Sequence, residues 1–190
     1  MRITGGKAKG IQLKTLQNRS LRPTTDLVRQ AIFSILQNMP GDWRRIADLY
    51  AGTGALGIEA LSRDAEWVDF VDQSKKCCDL IKDNLEKTGF SDRAHVYCCN
   101  MNKATTFLNS NYDVVFVDPP YSLSSMDNVV ATIAKSELIG ANSMVVLCHT
   151  KRFSPNPVYG KLHLVKQFHY GDTSVSVSYT HLTLPTTPYV

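Results

Sequence analysis

The chain lacks a long apolar run. Hydrophobic residues make up 43% of its 190 positions, yet no stretch approaches the ~18–20 consecutive apolar residues that span a bilayer. Met1-Arg2-Ile3-Thr4-Gly5-Gly6 carries no apolar segment of the export type, so a cytoplasmic protein is expected. Spaced cysteines are missing as well. Cys77-Cys78 and Cys98-Cys99 are adjacent pairs and Cys148 stands alone, which is not the C-x-x-C pattern that closes a zinc site. Buried, reduced thiols and no metal are the expectation. His95, His149, His163 and His169 show no ligand spacing and read as structural or exposed. No repeat or low-complexity block interrupts residues 1–179, and the apolar content excludes a disordered chain.

Charge of one sign is scarce overall, with a formal net charge of +4, but it is unevenly spread. The first 45 residues hold nine basic side chains (Arg2, Lys7, Lys9, Lys14, Arg19, Arg22, Arg29, Arg44 and Arg45) against Asp26 and Asp42. The rest of the chain is slightly acidic. A basic arm on such a body suits a polyanion, because phosphate contacts release counterions. A solvated basic surface that aids solubility accounts for the same charges equally well.

Residues 3–13 read as a small hairpin around Gly5-Gly6 and Gly10, bearing Lys7 and Lys9. Thr24, Thr25 or Asp26 caps a helix whose apolar face is Val28, Ile32, Ile35 and Leu36, and Pro40-Gly41 ends that unit. From residue 46 strands and helices alternate. Strands are expected over 46–50, 67–71, 94–99, 113–117 and 143–148. The helices between them include one ending near Ser62, one from a Ser74 cap to about Lys87, and one over 126–136. Two closing strands, 164–170 and 173–179, flank Gly171-Asp172 as an antiparallel hairpin. Such β-α repetition builds a mostly parallel seven-stranded sheet with helices on both faces, which binds ligands beyond the carboxyl ends of its strands. Three segments follow: a basic extension over 1–41, the α/β domain over 42–179, and a Thr/Pro-rich tail over 180–190 that looks foreign to the fold or disordered.

Two motifs carry chemistry. Gly52, Gly54 and Gly57 spell G-x-G-x-x-G between a strand and a helix, the context in which that motif cradles a ligand. Asp72 ends the next strand, where a carboxylate accepts hydrogen bonds from ribose hydroxyls. A dinucleotide would set its pyrophosphate on the helix N-terminus. S-adenosyl-L-methionine would instead direct its ammonium toward Asp48, just ahead of the glycines. The turn by itself does not choose between them.

The second motif is Asp118-Pro119-Pro120-Tyr121, after the strand that ends at Val117. An exocyclic base amine is a poor nucleophile because its lone pair is delocalised into the ring. The Asp118 carboxylate and a carbonyl of the Pro119-Pro120 segment can accept its two N–H bonds and aim the lone pair at a methyl donor. The prolines hold the loop extended and remove competing donors. Tyr121 offers a face for base stacking, worth ~1–3 kcal/mol. Positioning beside an already electrophilic sulfonium then supplies much of the rate. An NAD-dependent oxidoreductase would use the same glycine turn but leave Asp118-Tyr121 and the basic arm without a role.

Together with Arg2-Ile3-Thr4-Gly5-Gly6-Lys7, Arg22-Pro23-Thr24-Thr25-Asp26 and Phe70-Val71-Asp72-Gln73-Ser74, these motifs make residues 1–179 resemble the RsmD-type family, the 16S rRNA guanine-N2 methyltransferases. The resemblance implies a Rossmann-like class I methyltransferase fold with an N-terminal β-hairpin/helix extension that helps hold RNA. It implies S-adenosyl-L-methionine as cofactor, held by Asp48, Tyr50, Gly52, Thr53, Gly54, Asp72, Gln73 and Asn100. Asn100 stands where many class I enzymes have an Asp for the adenine amine, and an Asn carbonyl accepts the same bond. Asp118, Pro119, Pro120 and Tyr121 would be catalytic. Arg2, Lys7, Lys9, Arg22, Thr24 and Arg29 would contact RNA, although Arg22 or Arg29 pairing with Asp26 is a competing assignment. Leu27 and Gln30 depart from the Arg and Glu common in this family. The implied partner is 16S rRNA or an assembling small ribosomal subunit, met by a monomer away from any membrane. Adenine-N6 methylation of DNA or RNA is the nearest alternative.

Overall fold

Capped amphipathic segments alternating with short apolar runs leave the chain one economical arrangement, helices laid on both faces of a twisted sheet. The computed structural model describes residues 1–16, 25–38, 43–109, 111–120 and 126–180. Arg22, Thr24, Pro40-Gly41, Tyr121 and residues 181–190 lie outside them.

Helix α1 (Asp26–Gln37) starts at Thr25, whose hydroxyl accepts from the Val28 amide, and buries Val28, Ile32, Phe33 and Leu36. Strand β1 (Arg45–Leu49) leads through the glycine turn to α2 (Ala55–Ser62), a helix buried on all sides. Strand β2 (Trp67–Asp72) is followed by α3 (Lys75–Thr88), capped by Ser74 and stopped by a left-handed Gly89. A cap of this type contributes about 1 kcal/mol. Then come β3 (Ala94–Cys98), α4 (Met101–Phe107), β4 (Tyr112–Val117), α5 (Met126–Lys135), β5 (Ile139–Thr150), β6 (Val158–Tyr159), β7 (Leu162–Tyr170) and β8 (Thr173–Tyr179).

The strands form one sheet in the order β3-β2-β1-β4-β5-β8-β7-β6. The first five run parallel, and β8, β7 and β6 add antiparallel. All seven expected strands are present. The eighth, β6, is only two residues long and pairs with β7 across Gly160, too short to leave a periodic signature. Strand β5 begins four residues earlier than expected. Its register against β4 shifts between Tyr112 and Val114, and regular pairing resumes at Met144. The Ser143 hydroxyl stabilises that irregularity, accepting from the Gly140 amide and donating to the Tyr112 carbonyl. The strand order reverses between β1 and β4, where chain connections leave to opposite sides, the point at whose carboxyl edge open α/β sheets bind ligands.

The expected N-terminal hairpin is smaller than two strands. One bridge, Arg2 to Gln12, with Ile3–Ile11 and Leu13–Met1 backbone bonds beside it, closes a loop whose tip bonds to α2. The Lys7 amide donates to the Ser62 carbonyl at 2.7 Å, the Ala8 amide donates to the Ser62 hydroxyl at 2.9 Å, and that hydroxyl donates to the Gly5 carbonyl at 2.6 Å. Gly6 takes φ +75°, and a Cβ there would stand 1.8 Å from the Ser62 carbonyl oxygen, so only glycine permits this docking. Ile3, Ala8 and Leu13 from the loop, and Ile32, Phe33 and Leu36 from α1, join Ile46, Phe70 and Phe116 of the sheet in a single buried cluster. The opposite face is covered by α4 and α5 over Leu49, Val115, Val117 and Leu147.

Candidate active site

The site is built on the ends of β1, β2 and β4. Leaving β1, the backbone passes through three left-handed residues, Tyr50 (φ 59°), Gly52 (φ 57°) and Gly54 (φ 75°). Tyr50 is not glycine, so its conformation costs about 1–3 kcal/mol that the surrounding sheet must offset. Such strain concentrates at functional turns. Nothing crowds the Cβ position of Gly52, where the nearest atom is the Tyr50 carbonyl oxygen 4.0 Å away, so a ligand can approach the bare backbone there. Gly57 serves packing instead. A Cβ on it would lie 2.3 Å from the Phe70 ring, which fixes how closely α2 approaches β2.

Two carboxylates hold this turn in shape. Asp48, only 2% exposed, accepts the Gly57 amide at 2.9 Å and so satisfies one of the donors left free in the first turn of α2. Asp72 accepts the Gly52 amide at 2.9 Å and the Ser74 amide at 2.8 Å, bridging the glycine turn to the start of α3. Asn84, fully buried on α3, donates to the Thr53 carbonyl at 3.0 Å and to the Lys14 carbonyl at 3.1 Å, and accepts the Lys14 amide at 2.8 Å. The Thr53 hydroxyl donates to the Met1 sulfur at 3.8 Å.

Asp118 follows β4, beside β1. Leu49 pairs with Val117, and the Asp118 amide lies 3.5 Å from the Leu49 carbonyl. Asp118 is half-buried, Pro119 buried and Pro120 exposed. Burial pushes the Asp48 carboxyl well above its ordinary value, and the nearby charges of Asp118 and Asp72 push it further, against the lowering effect of the Gly57 amide. Burial likewise raises the Cys148 thiol on β5 well above the ordinary thiol range, with Asp118 and Asp48 contributing. This edge therefore gathers negative charge at short range. It can hold a cation, and it opposes a pyrophosphate.

The remaining expected residues are placed as follows. Gln73 is exposed just past Asp72. Asn100, also exposed, uses its side-chain oxygen to cap α4, accepting the Lys103 amide at 2.8 Å. Arg2, Lys7 and Lys9 are exposed on the N-terminal loop, and Lys7 pairs with Asp64 at 2.6 Å. Arg29 is different and requires correction as an RNA contact. Its side chain is fully buried, donating to the Arg2 carbonyl at 2.6 Å and to Asp26 at 2.9 Å, with its Nε 3.9 Å from Glu59. The competing assignment, pairing with Asp26, is the one found. Of the expected histidines, His149 is buried between the Thr150 carbonyl and the Ser176 hydroxyl, each at 2.7 Å. Burial lowers its pKa.

Sequence reasoning missed the Glu59 junction. This fully buried carboxylate accepts from the Thr4 amide at 2.8 Å, the Thr4 hydroxyl at 2.7 Å and Arg63 Nε at 3.0 Å. Asn84 was missed too, although a polar residue on the Cys77, Ile81, Leu85 face of α3 is a readable signal of a buried amide with fixed partners.

The family described as conserved hypothetical protein 95 matches residues 1–179. YlbH of Bacillus subtilis (strain 168), named as a candidate rRNA methyltransferase, is 33% identical over 183 residues, covering 93% of this chain and 97% of its own. Ribosomal RNA small subunit methyltransferase D of Haemophilus influenzae is 31% identical over 153 residues, 76% of each chain. Among solved structures, yhhF from Escherichia coli superposes with a TM-score of 0.81 at 26% identity, over 94% of this chain and 97% of that one. The chain thus belongs to the conserved hypothetical protein 95 family, the RsmD-type methyltransferases.

Proposed function

We propose that this protein transfers a methyl group from S-adenosyl-L-methionine to the exocyclic N2 amine of a guanine in small-subunit ribosomal RNA, in the cytoplasm. The observation that carries the reading is the adjacency of the glycine turn after β1 and Asp118 after β4, with buried Asp48 beside both. A carboxylate-rich edge suits a phosphate-free nucleoside that bears a sulfonium and an ammonium better than a dinucleotide, and this weighs against an NAD-dependent oxidoreductase.

Asp48, Tyr50, Gly52, Thr53, Gly54, Asp72, Gln73 and Asn100 are the residues assigned to hold the cofactor. Asp72 already accepts two backbone amides, and each of its oxygens keeps a lone pair for a ribose hydroxyl. Asn100 retains one lone pair for an adenine amine beside its capping bond. S-adenosyl-L-methionine supplies an electrophilic methyl group when bound. The chain supplies orientation: the Asp118 carboxylate and a Pro119-Pro120 carbonyl accept the two amine N–H bonds, and Tyr121 stacks on the base. The guanine must be unpaired or flipped to reach them. Arg2, Lys7 and Lys9, with Arg22 and Thr24, are assigned to the RNA, and the protein acts as a monomer.

The test is mass mapping of modified nucleosides along ribosomal RNA from cells with and without the protein, followed by methyl transfer in vitro to small subunits lacking the mark. N2-methylguanosine disappearing from one position supports the reading, and N6-methyladenosine in its place overturns the guanine assignment. Asp118→Ala is expected to lower turnover by about 10²–10³-fold, the scale of one removed transition-state hydrogen-bonding group, with cofactor affinity kept within twofold. Unchanged turnover removes Asp118 from the mechanism.

A further inference from the structure

Two thiols meet at Asp72. Cys98 ends β3, directly paired with Asp72 in the β2–β3 register, and its side chain is exposed. Cys78, in the first turn of α3, is buried and donates its S–H to the Asp72 carbonyl at 3.3 Å. Both cysteines thus sit against one residue, Cys98 as its strand neighbour and Cys78 through its thiol. The Asp72 carboxylate, meanwhile, holds both the glycine turn and the start of α3. Cys77 is buried in the same turn of α3, its amide bonded to the Ser74 hydroxyl, and Cys99 faces the opposite side of the strand end from Cys98.

We propose that Cys78 and Cys98 form a redox-modifiable pair. A peroxide closes them into a disulfide that ties α3 to the end of β3 and weakens nucleoside binding at Asp72. The effect on binding rests on the cofactor reading above, whereas disulfide formation does not. Burial pushes the Cys78 thiol up to about 12, so exposed Cys98 is the thiol that reacts first. Its sulfur attacks hydrogen peroxide, the O–O bond breaks, and the sulfur, having lost two electrons, becomes a sulfenic acid as one water leaves. The Cys78 sulfur then attacks that sulfur. The S–S bond forms, the S–O bond breaks, and a second water departs carrying the Cys78 proton. Two thiols and one peroxide thus give one disulfide and two waters. Closure removes the S–H that Asp72's carbonyl accepts and pulls on both elements its carboxylate joins. In a reducing cytoplasm the bond is transient, and thiol exchange reopens it.

The experiment treats the full-length reduced protein with hydrogen peroxide, then applies intact-mass measurement, peptide mapping and calorimetry with S-adenosylhomocysteine. The expected result is loss of two hydrogen atoms, a cross-link between the peptides of Cys78 and Cys98, and at least tenfold weaker binding that dithiothreitol restores. Cys98→Ser and Cys98→Ala are each expected to abolish the cross-link and the peroxide-induced loss of affinity, while Cys77→Ser keeps both. Over-oxidation of Cys98 without a cross-link, a bond to another cysteine, or a cross-link with unchanged affinity overturns the proposal. Reduced protein that fails to bind S-adenosylhomocysteine overturns the cofactor reading instead, and the mapped cross-link still decides the thiol pair.

Discussion

Asp48 shows how one residue serves two opposed demands. Its carboxylate fixes the first turn of α2 through Gly57, yet it sits buried among the charges of Asp118 and Asp72. A carboxyl whose folded pKa is raised binds its proton more tightly when folded. Stability is then greatest below the unfolded value and falls as pH climbs from there toward the raised folded value. Asp48→Asn keeps an acceptor for the Gly57 amide and removes that loss. The variant is expected to be more stable than the parent by about 1–2 kcal/mol at neutral pH, a gain typical of relieving a strained functional group. The two proteins should converge near pH 4, as followed by thermal unfolding across pH. Calorimetry of the same variant should show weakened S-adenosyl-L-methionine binding. The position of Asp48 ahead of the glycines was legible in the sequence. Its bond to Gly57 was not, because the nine-residue reach from strand to helix exists only once the turn has formed.

At the scale of elements, the sequence made most of the framework readable. The Thr25 and Ser74 caps, the Gly89 stop and the closing hairpin are local signals, and local chemistry decides them. What escaped was set by distant partners. Arg29 reads as one more basic residue of the arm, but it is fully buried because α1 lays it against Glu59 of α2 and the Arg2 carbonyl. Nothing within 20 residues of Arg29 announces this. Glu59→Ala would take a counter-charge from buried Arg29 and strip the partner of Thr4 and Arg63. Removing one member of a buried ion pair costs about 3–5 kcal/mol. Chemical denaturation should show a loss of that size, and a loss below ~1 kcal/mol would mean the junction relaxes without Glu59.

For the molecule as a whole, the exposed Lys7 and Lys9 share a surface with Arg2 on the loop that packs over α2. The Lys7–Asp64 pair, with both side chains 69% exposed, is worth little in water and is readily exchanged for a phosphate. Replacing Lys7 and Lys9 by Gln is expected to flatten the dependence of log affinity on log salt by about 0.7 per lost contact on single-stranded RNA. Filter binding over a salt series checks it, and an unaltered slope would take both lysines out of the interface. The loop that carries them is no detachable arm, because its apolar residues belong to the same cluster as the sheet's. A chimera that grafted residues 1–38 onto another member of the fold would therefore need α2 transplanted too, with Glu59, Ser62 and Arg63 in place. The loop and the helix that follows the glycine turn are packed as one piece, so a change on this surface is tolerated at its exposed side chains and not by exchange of the loop itself.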